Sequence, residues 1–200
     1  MINIVERVFY KINSMKTKDK IIKHAREIFA NEGYKALGLR EVAKRSHIAT
    51  SVLYYYFTDK DSLLKDVFDN TNIELGMLRK KLPKAKNSSE MLKQRIAFQL
   101  DHSEMIITVL KYYLKYRKTF IKNQGGFVPE KAYFHILEVL ERGVKAKEFS
   151  IDDVDSDAKV ITHAINGFVM EYYPDIPKGK EKQKLINQIY GFIIKALKSK

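Results

Sequence analysis

One stretch constrains this chain more than any other: Arg40 to Lys60, REVAKRSHIATSVLYYYFTDK. Leu39, Val42 and Ala43 recur at helical spacing, and so do Val52, Leu53 and Tyr56. The spacing predicts two short helices, each with one apolar face. Between them Ser46-His47-Ile48 is too short for anything but a turn, and Ile48 is the apolar plug such a turn needs. The second helix then turns Thr50, Ser51, Tyr54 and Tyr55 outward. This outer face is small at its start, aromatic and polar further on, and free of acid. A helix of that kind can enter a major groove by its N-terminal end while longer donors reach the flanking phosphates.

With IIKHAREIFANEGY before it, the run LREVAKRSHIATSVLYYYFTDKDSLL resembles the DNA-binding domain of the tetracycline-repressor (TetR) family, over about residues 18 to 68. The most specific part is Leu53-Tyr54-Tyr55-Tyr56-Phe57 followed by Lys60 and Leu63-Leu64, which follows the family's L-Y-x-[YH]-F-x-x-K-x-x-L-[LF]. The chain departs from the usual family residues at Leu37-Gly38, Ser46-His47, Ala49 and Ser51. Gly38 can still cap the first helix of the motif. Thr50 is expected to cap the second in place of Ala49. His47 stands where a positive φ is often needed, a region in which His is somewhat enriched. The resemblance also implies roles. Arg40 matches a base-reading arginine, with guanine the expected bidentate partner. Thr50, Ser51 and Val52 match positions facing base edges, although Val52 reads slightly better as core than as a contact to a thymine methyl. Tyr54, Tyr55, Tyr56 and Lys60 match phosphate-contacting positions, Tyr56 alternatively being buried with only its hydroxyl reaching out.

Composition sets the outer bounds. The 200 residues suffice for one or two helical domains, and 45% hydrophobic content is ordinary for a globular protein. Cysteine is absent, which excludes disulfides and thiolate metal sites. No apolar run approaches the roughly 18 residues of a membrane span, and Glu6 and Arg7 interrupt the apolar N-terminus where a signal peptide would be continuous. A cytoplasmic protein with no membrane partner is expected. The net charge of +13 suits a nucleic-acid partner. Its excess is denser toward the front but not confined there, so the motif rather than the charge carries the DNA reading.

Taken in order, the chain reads as all-α: an N-terminal three-helix helix-turn-helix DNA-binding domain and a C-terminal helical ligand-binding and dimerisation domain. Residues 1–17 form an N-terminal arm, either loose or helical, since Ile4, Val5, Val8, Phe9 and Ile12 fall at helical spacing. Residues 18–64 form the DNA-binding domain and residues 65–200 the rest. The first matched helix runs from about Lys18 to Asn31, with Lys16, Lys18, Lys20 and Lys23 at its beginning and Gly33 free to end it with positive φ. Thr58 is expected to cap the next helix, 59–82. Five more helical segments follow at about 88–102, 103–122, 129–147, 155–173 and 181–198. Gly125-Gly126 and Pro129 punctuate one join, and the acids from Asp152 to Asp157 supply caps.

Two further constellations stand out. Met105, Tyr112, Tyr113, Tyr116 and Phe120 on one segment, with Phe134, His135 and Leu137 on another, suit an aromatic cavity for a small-molecule effector. An aromatic stripe at helical spacing is more often simply core. Glu138, Glu141, Glu171 and His163 suit either a cationic or polar ligand or the surface. Ala158, Ile161, Ala164, Ile165 and Phe168 line one helix, and Leu185, Ile189, Phe192, Ile193 and Leu197 line the last. The family resemblance implies a homodimer through these two helices, and the last is apolar over more than one face. Catalysis has no support, for there is no metal-ligand spacing, phosphate loop or nucleophile elbow, and no cofactor is expected. The reading that results is a ligand-responsive regulator, in most relatives a repressor, that binds a pseudo-palindromic site on double-stranded DNA as a homodimer. The alternative is a helical small-molecule-binding module, or a non-specific DNA binder, without an operator.

Overall fold

The computed structural model describes residues 4–124 and 131–198, with side chains described from 15 to 119 and from 132 to 198. Among the described residues the chain is helical throughout and has no strand. The helices are α1 (Ile4–Ala36), α2 (Leu39–Arg45), α3 (Thr50–Tyr56), α4 (Lys60–Lys80), α5 (Ser88–Asp101), α6 (Ser103–Gln124), α7 (Lys131–Lys145), α8 (Val154–Tyr172) and α9 (Gly179–Lys198). The expected breaks at Gly125-Gly126 and Pro129 lie outside the described residues. No helix among those described is long and apolar enough to cross a membrane.

The chain divides into two compact units between Leu75 and Gly76, inside α4. The sequence pattern puts the end of the DNA-binding domain at residue 64. The first unit reaches further because Val67, Thr71 and Leu75 on the next turns of α4 are still buried. At the other end, the arm expected over residues 1–17 is helical from Ile4 and continuous with the matched helix. Gly33 breaks that helix near its end with φ 82°, a conformation open to glycine at little cost.

The core of the first unit is apolar and contiguous. Ile21, Ala25, Ile28 and Phe29 of α1 are buried, as are Val42, Ala43, Leu53, Leu63 and Leu64 from the three helices that follow. A buried cation, Arg26, is held by Glu74 of α4 at 2.6 Å. Lys18, grouped in sequence with the exposed lysines at the head of the helix, pairs with Asp66 at 2.6 Å and lies 5.7 Å from the Phe57 ring centroid.

In the second unit α5 packs against α6, α7, α8 and α9, and α7 packs against α8. Side chains mark the helix starts. Asn87 accepts from the Glu90 N–H at 2.8 Å, and Asp153 accepts from the Ser156 N–H at 3.0 Å. Glu148 reaches from beyond the end of α7 to accept the N–H groups of Ser88 and Ser89 at 2.9 and 3.2 Å, covering donors that α5 itself cannot satisfy. Of the side chains expected at a dimer face, Ala158, Ile161, Ile165, Leu185, Ile189, Ile193 and Leu197 are buried within this unit. They are the core stripes of α8 and α9, which α5 and its neighbours cover. Ala164 and Phe168 are half-buried. Phe192 alone of that group is exposed, at 75%. Val160 at 64%, Met170 at 53% and the exposed Gly167 lie on the outward side of α8.

Candidate nucleic-acid interface

The interface is built on the turn between α2 and α3. Gly38 is the N-cap of α2, and its carbonyl accepts the Val42 N–H at 2.9 Å. At the other end the N–H groups of Ser46, His47 and Ile48 return to the carbonyls of Val42, Lys44 and Ala43 at 2.9, 3.1 and 3.1 Å. This closes the helix in three residues. His47 adopts φ 51°, the positive value expected at that position. Ser46 is fully buried under the turn. The N-cap of α3 is Ala49, and no side chain caps it. Thr50 does not act as the cap, because it is already the first helical residue.

Leu53 anchors α3, fully buried. Everything around it on the helix faces out or lies at the edge. Val52 is 38% exposed, Tyr54 53% and Tyr55 73%. Ser51 is exposed and Thr50 half-buried. The core reading of Val52 is therefore overturned: one residue before Leu53, its side chain is rotated about 100° away from the buried stripe. Tyr56 is half-buried, its ring edge-on to Tyr55 at 5.2 Å. Arg40 is exposed on α2. The acid beside it, Glu41, is engaged by Arg45 at 2.7 Å, and Arg45 also holds Glu32 at 2.8 Å. Arg40 on α2 and Ser51, Val52, Tyr54 and Tyr55 on α3 are thus all exposed, with Thr50 half-buried.

The start of α4 completes it. Asp59, not Thr58, is the capping residue: its carboxylate accepts the Ser62 N–H at 2.7 Å, and the Ser62 hydroxyl accepts the Asp59 N–H at 3.2 Å. This reciprocal pair displaces the expected cap by one position. Lys60 in the first turn does not extend outward. Its ammonium lies 4.0 Å from the Tyr34 ring centroid and donates to the Lys35 carbonyl at 3.3 Å. The Tyr34 hydroxyl in turn donates to Asp61 at 2.7 Å. Burial and that carboxylate push its pKa up to about 12, so the ring carries no charge beside Lys60.

The residues expected around an effector fare differently. Met105, Tyr112, Tyr113 and Tyr116 are half-buried along α6, Tyr112 and Tyr116 in ring contact at 4.6 Å. Phe120 lies outside the described side chains. Phe134 is 52% exposed. His135 alone of that group lines a described cavity of the second unit, beside Arg79, Arg95, Phe98 and Gln99. A larger opening of about 340 Å³ shares Arg79 and Arg95 with it. Sequence reasoning passes over Arg95 and Gln99. The signal is there: they fall three and seven residues after the buried Leu92, in phase with Ile96, where an amphipathic helix places core residues. Glu138, Glu141, His163 and Glu171 are exposed. Among the described residues no group of three or more metal-ligating side chains comes together.

Comparison with known proteins agrees with this geometry. Residues 21–67 match the family model for bacterial regulatory proteins of the tetR family. The HTH-type transcriptional regulator QacR of Staphylococcus aureus (strain Mu50) is 26% identical over 194 residues, covering 92% of this chain and 99% of that protein. Among solved structures, a tetR-family regulatory protein from Rhodococcus RHA1 superposes with a TM-score of 0.67 at 16% identity, over 92% of this chain and 98% of its own. The regulator PfmR from Thermus thermophilus also reaches 0.67, at 18% identity over 90% and 99%. At these identities the structural likeness concerns the fold.

Proposed function

Since the chain belongs to the tetR family of bacterial regulatory proteins, a family of transcriptional regulators and not of enzymes, we propose that it represses transcription as a homodimer on a pseudo-palindromic operator. The observation that carries this is α3. One buried leucine pins it, and its other side chains present small polar groups at the N-terminal end and exposed tyrosines after them. That order suits base edges first and phosphates second. In this reading the exposed Arg40 reads guanine bidentately, and Thr50, Ser51 and Val52 meet base edges. Val52, exposed in the fold, suits a thymine methyl. Tyr54, Tyr55, Tyr56 and Lys60 serve the backbone. For Lys60 this means exchanging the Lys35 carbonyl for a phosphate oxygen, a stronger charge-assisted contact.

A dimer follows from the two-fold symmetry of operators, whose half-sites are about 34–36 Å apart. What supports it is the exposed apolar or small residues beside the buried stripe of each helix, Val160, Gly167 and Met170 on α8 and Phe192 on α9. An effector bound in the second unit would release DNA by favouring a conformation in which the two heads no longer match that spacing. Its leverage equals its differential affinity for the two states.

The test is fluorescence anisotropy on the gene's own upstream DNA and on scrambled DNA, at two salt concentrations. Preference for the upstream fragment by about 10³ or more is expected. Tyr54→Ala should weaken it, and Lys60→Ala should lower the slope of log affinity against log salt by about one. Equal binding to both fragments and to neighbouring promoters, vanishing with salt, would instead favour the non-specific binder.

A further inference from the structure

The interior of the second unit holds positive charge that its packing leaves unused. Arg79, in the last turn of α4, and Arg95, in the middle of α5, line the same cavity. The Arg95 side chain is 13% exposed. Its Nε–H is buried without an acceptor. One turn further along α5, Gln99 is 4% exposed and its Oε1 is likewise buried without a donor. Burial and the Arg95 guanidinium push the Arg79 pKa down to about 10, and burial pushes Arg95 down despite Glu138 nearby. Both stay cationic at neutral pH, at a cost in repulsion.

The compensation within the protein is thin. The Glu138 carboxylate lies 3.9 Å from Arg95, and its side chain is 60% exposed. Arg79 has the Phe98 ring at 5.1 Å and the His135 Nε2 at 3.0 Å, neither of them an anion. Buried guanidinium groups are normally matched by carboxylates in fork geometry. Here the surrounding space is a cleft of about 340 Å³, which Arg142 and Lys84 make more positive still. Its remaining wall is Leu82, Pro83, Ala85 and Met91, with the polar Gln94 among them.

We infer that this cleft is the effector site, and that the effector is a small organic carboxylate whose head bridges Arg79 and Arg95 while its apolar body lies against Leu82 and Met91. A planar two-oxygen head suits two guanidinium groups. The aromatic stripe of α6 is not required. This inference rests on the chain being a ligand-responsive regulator. It adds the chemical class of the ligand.

The test uses full-length protein in isothermal titration calorimetry at fixed ionic strength. The probes are octanoate and benzoate, their amides, inorganic phosphate, and the cations octylamine and benzamidine. Saturable binding of a carboxylate is expected, at least tenfold tighter than its amide and stronger than either cation. Arg95→Met should abolish it, with the circular-dichroism melt as the check on folding. If Arg95→Met does not fold, Arg79→Gln takes its place. Carboxylates no tighter than amides, a preference for cations or for phosphate, or unaltered binding in the folded arginine variants would each overturn the inference. Anisotropy on operator DNA with and without octanoate separates the two readings. Specific DNA binding with no carboxylate bound removes this site and leaves the regulator. Carboxylate binding with unchanged DNA affinity overturns the effector assignment.

Discussion

The two units each bury an arginine, and they treat it in opposite ways. In the first, Arg26 meets Glu74 at 2.6 Å. In the second, Arg95 has its nearest carboxylate at 3.9 Å and an Nε–H with no acceptor. The first arrangement is what a stable core requires of a charge. The second is tolerable only if something else completes it. The units differ in the same sense elsewhere. Around Arg26 the interior of the first unit is largely apolar, and the polar groups and tyrosines of α3 lie on its surface. The second unit turns the Arg95 guanidinium and the Gln99 amide inward.

The sharpest way to break the comparison is to wound each unit alone. Leu53→Ala removes the pin of α3 and should cost about 2–5 kcal/mol. DNA binding should disappear while calorimetric carboxylate binding persists, and loss of both would show that the units are not separate. Gly143→Ala is the counterpart in the second unit. A methyl there would collide with the buried Phe149 ring, so the ring must move. The expected loss is about 1–3 kcal/mol in a denaturant melt, with the effector site damaged and non-cooperative DNA contacts retained.

The two arginines then give a difference of sign. Arg26→Met should destabilise by about 1–3 kcal/mol, softened because Glu74 is 42% exposed and can be rehydrated. Arg95→Met should leave stability unchanged or raise it by about 1 kcal/mol, since it removes an incompletely paired charge from a buried site. Urea melts of both variants decide it. Equal losses would mean that Arg95 is structural, like Arg26.

Much of this was legible beforehand, for physical reasons that vary by place. Helix limits followed from local chemistry: Asn87 and Asp153 cap α5 and α8 within a residue or so of the expected starts. Where two neighbouring residues competed, as Thr58 and Asp59 did, the choice fell to the partner three residues on: Ser62 completes a reciprocal pair with Asp59. The α8 and α9 stripes were visible as apolar, but periodicity marks the most apolar face of a helix, and that face belongs to the chain's own core. The weaker stripe beside it, Val160, Gly167, Met170 and Phe192, is the one left outward. In the effector region aromatic content drew attention to α6. A cavity, however, is a property of what packing leaves empty, and Arg95 and Gln99 become conspicuous only when helical phase and burial are read together.

The smallest effect concerns Glu148, which joins the end of α7 to the start of α5 within the second unit. Partial burial tends to raise its pKa. The N–H groups of Ser88 and Ser89 outweigh that and hold it below the ordinary carboxylate range. A folded pKa below the unfolded one means that the stabilisation is complete above the unfolded value of about 4.3. It is lost as pH falls through the folded one. Asp155 behaves likewise, held down by Lys159 and by the Tyr133 hydroxyl. Glu148→Gln keeps an acceptor but loses the charge at a helix start, for an expected cost below about 1 kcal/mol at pH 7. The difference between wild type and variant should hold from neutral pH to about 5 and shrink below that. Urea melts of the wild type and Glu148→Gln at about pH 7, 5 and 3.5 decide it. A difference that persists undiminished at the lowest of these would show that shape, not charge, is what Glu148 supplies to α5.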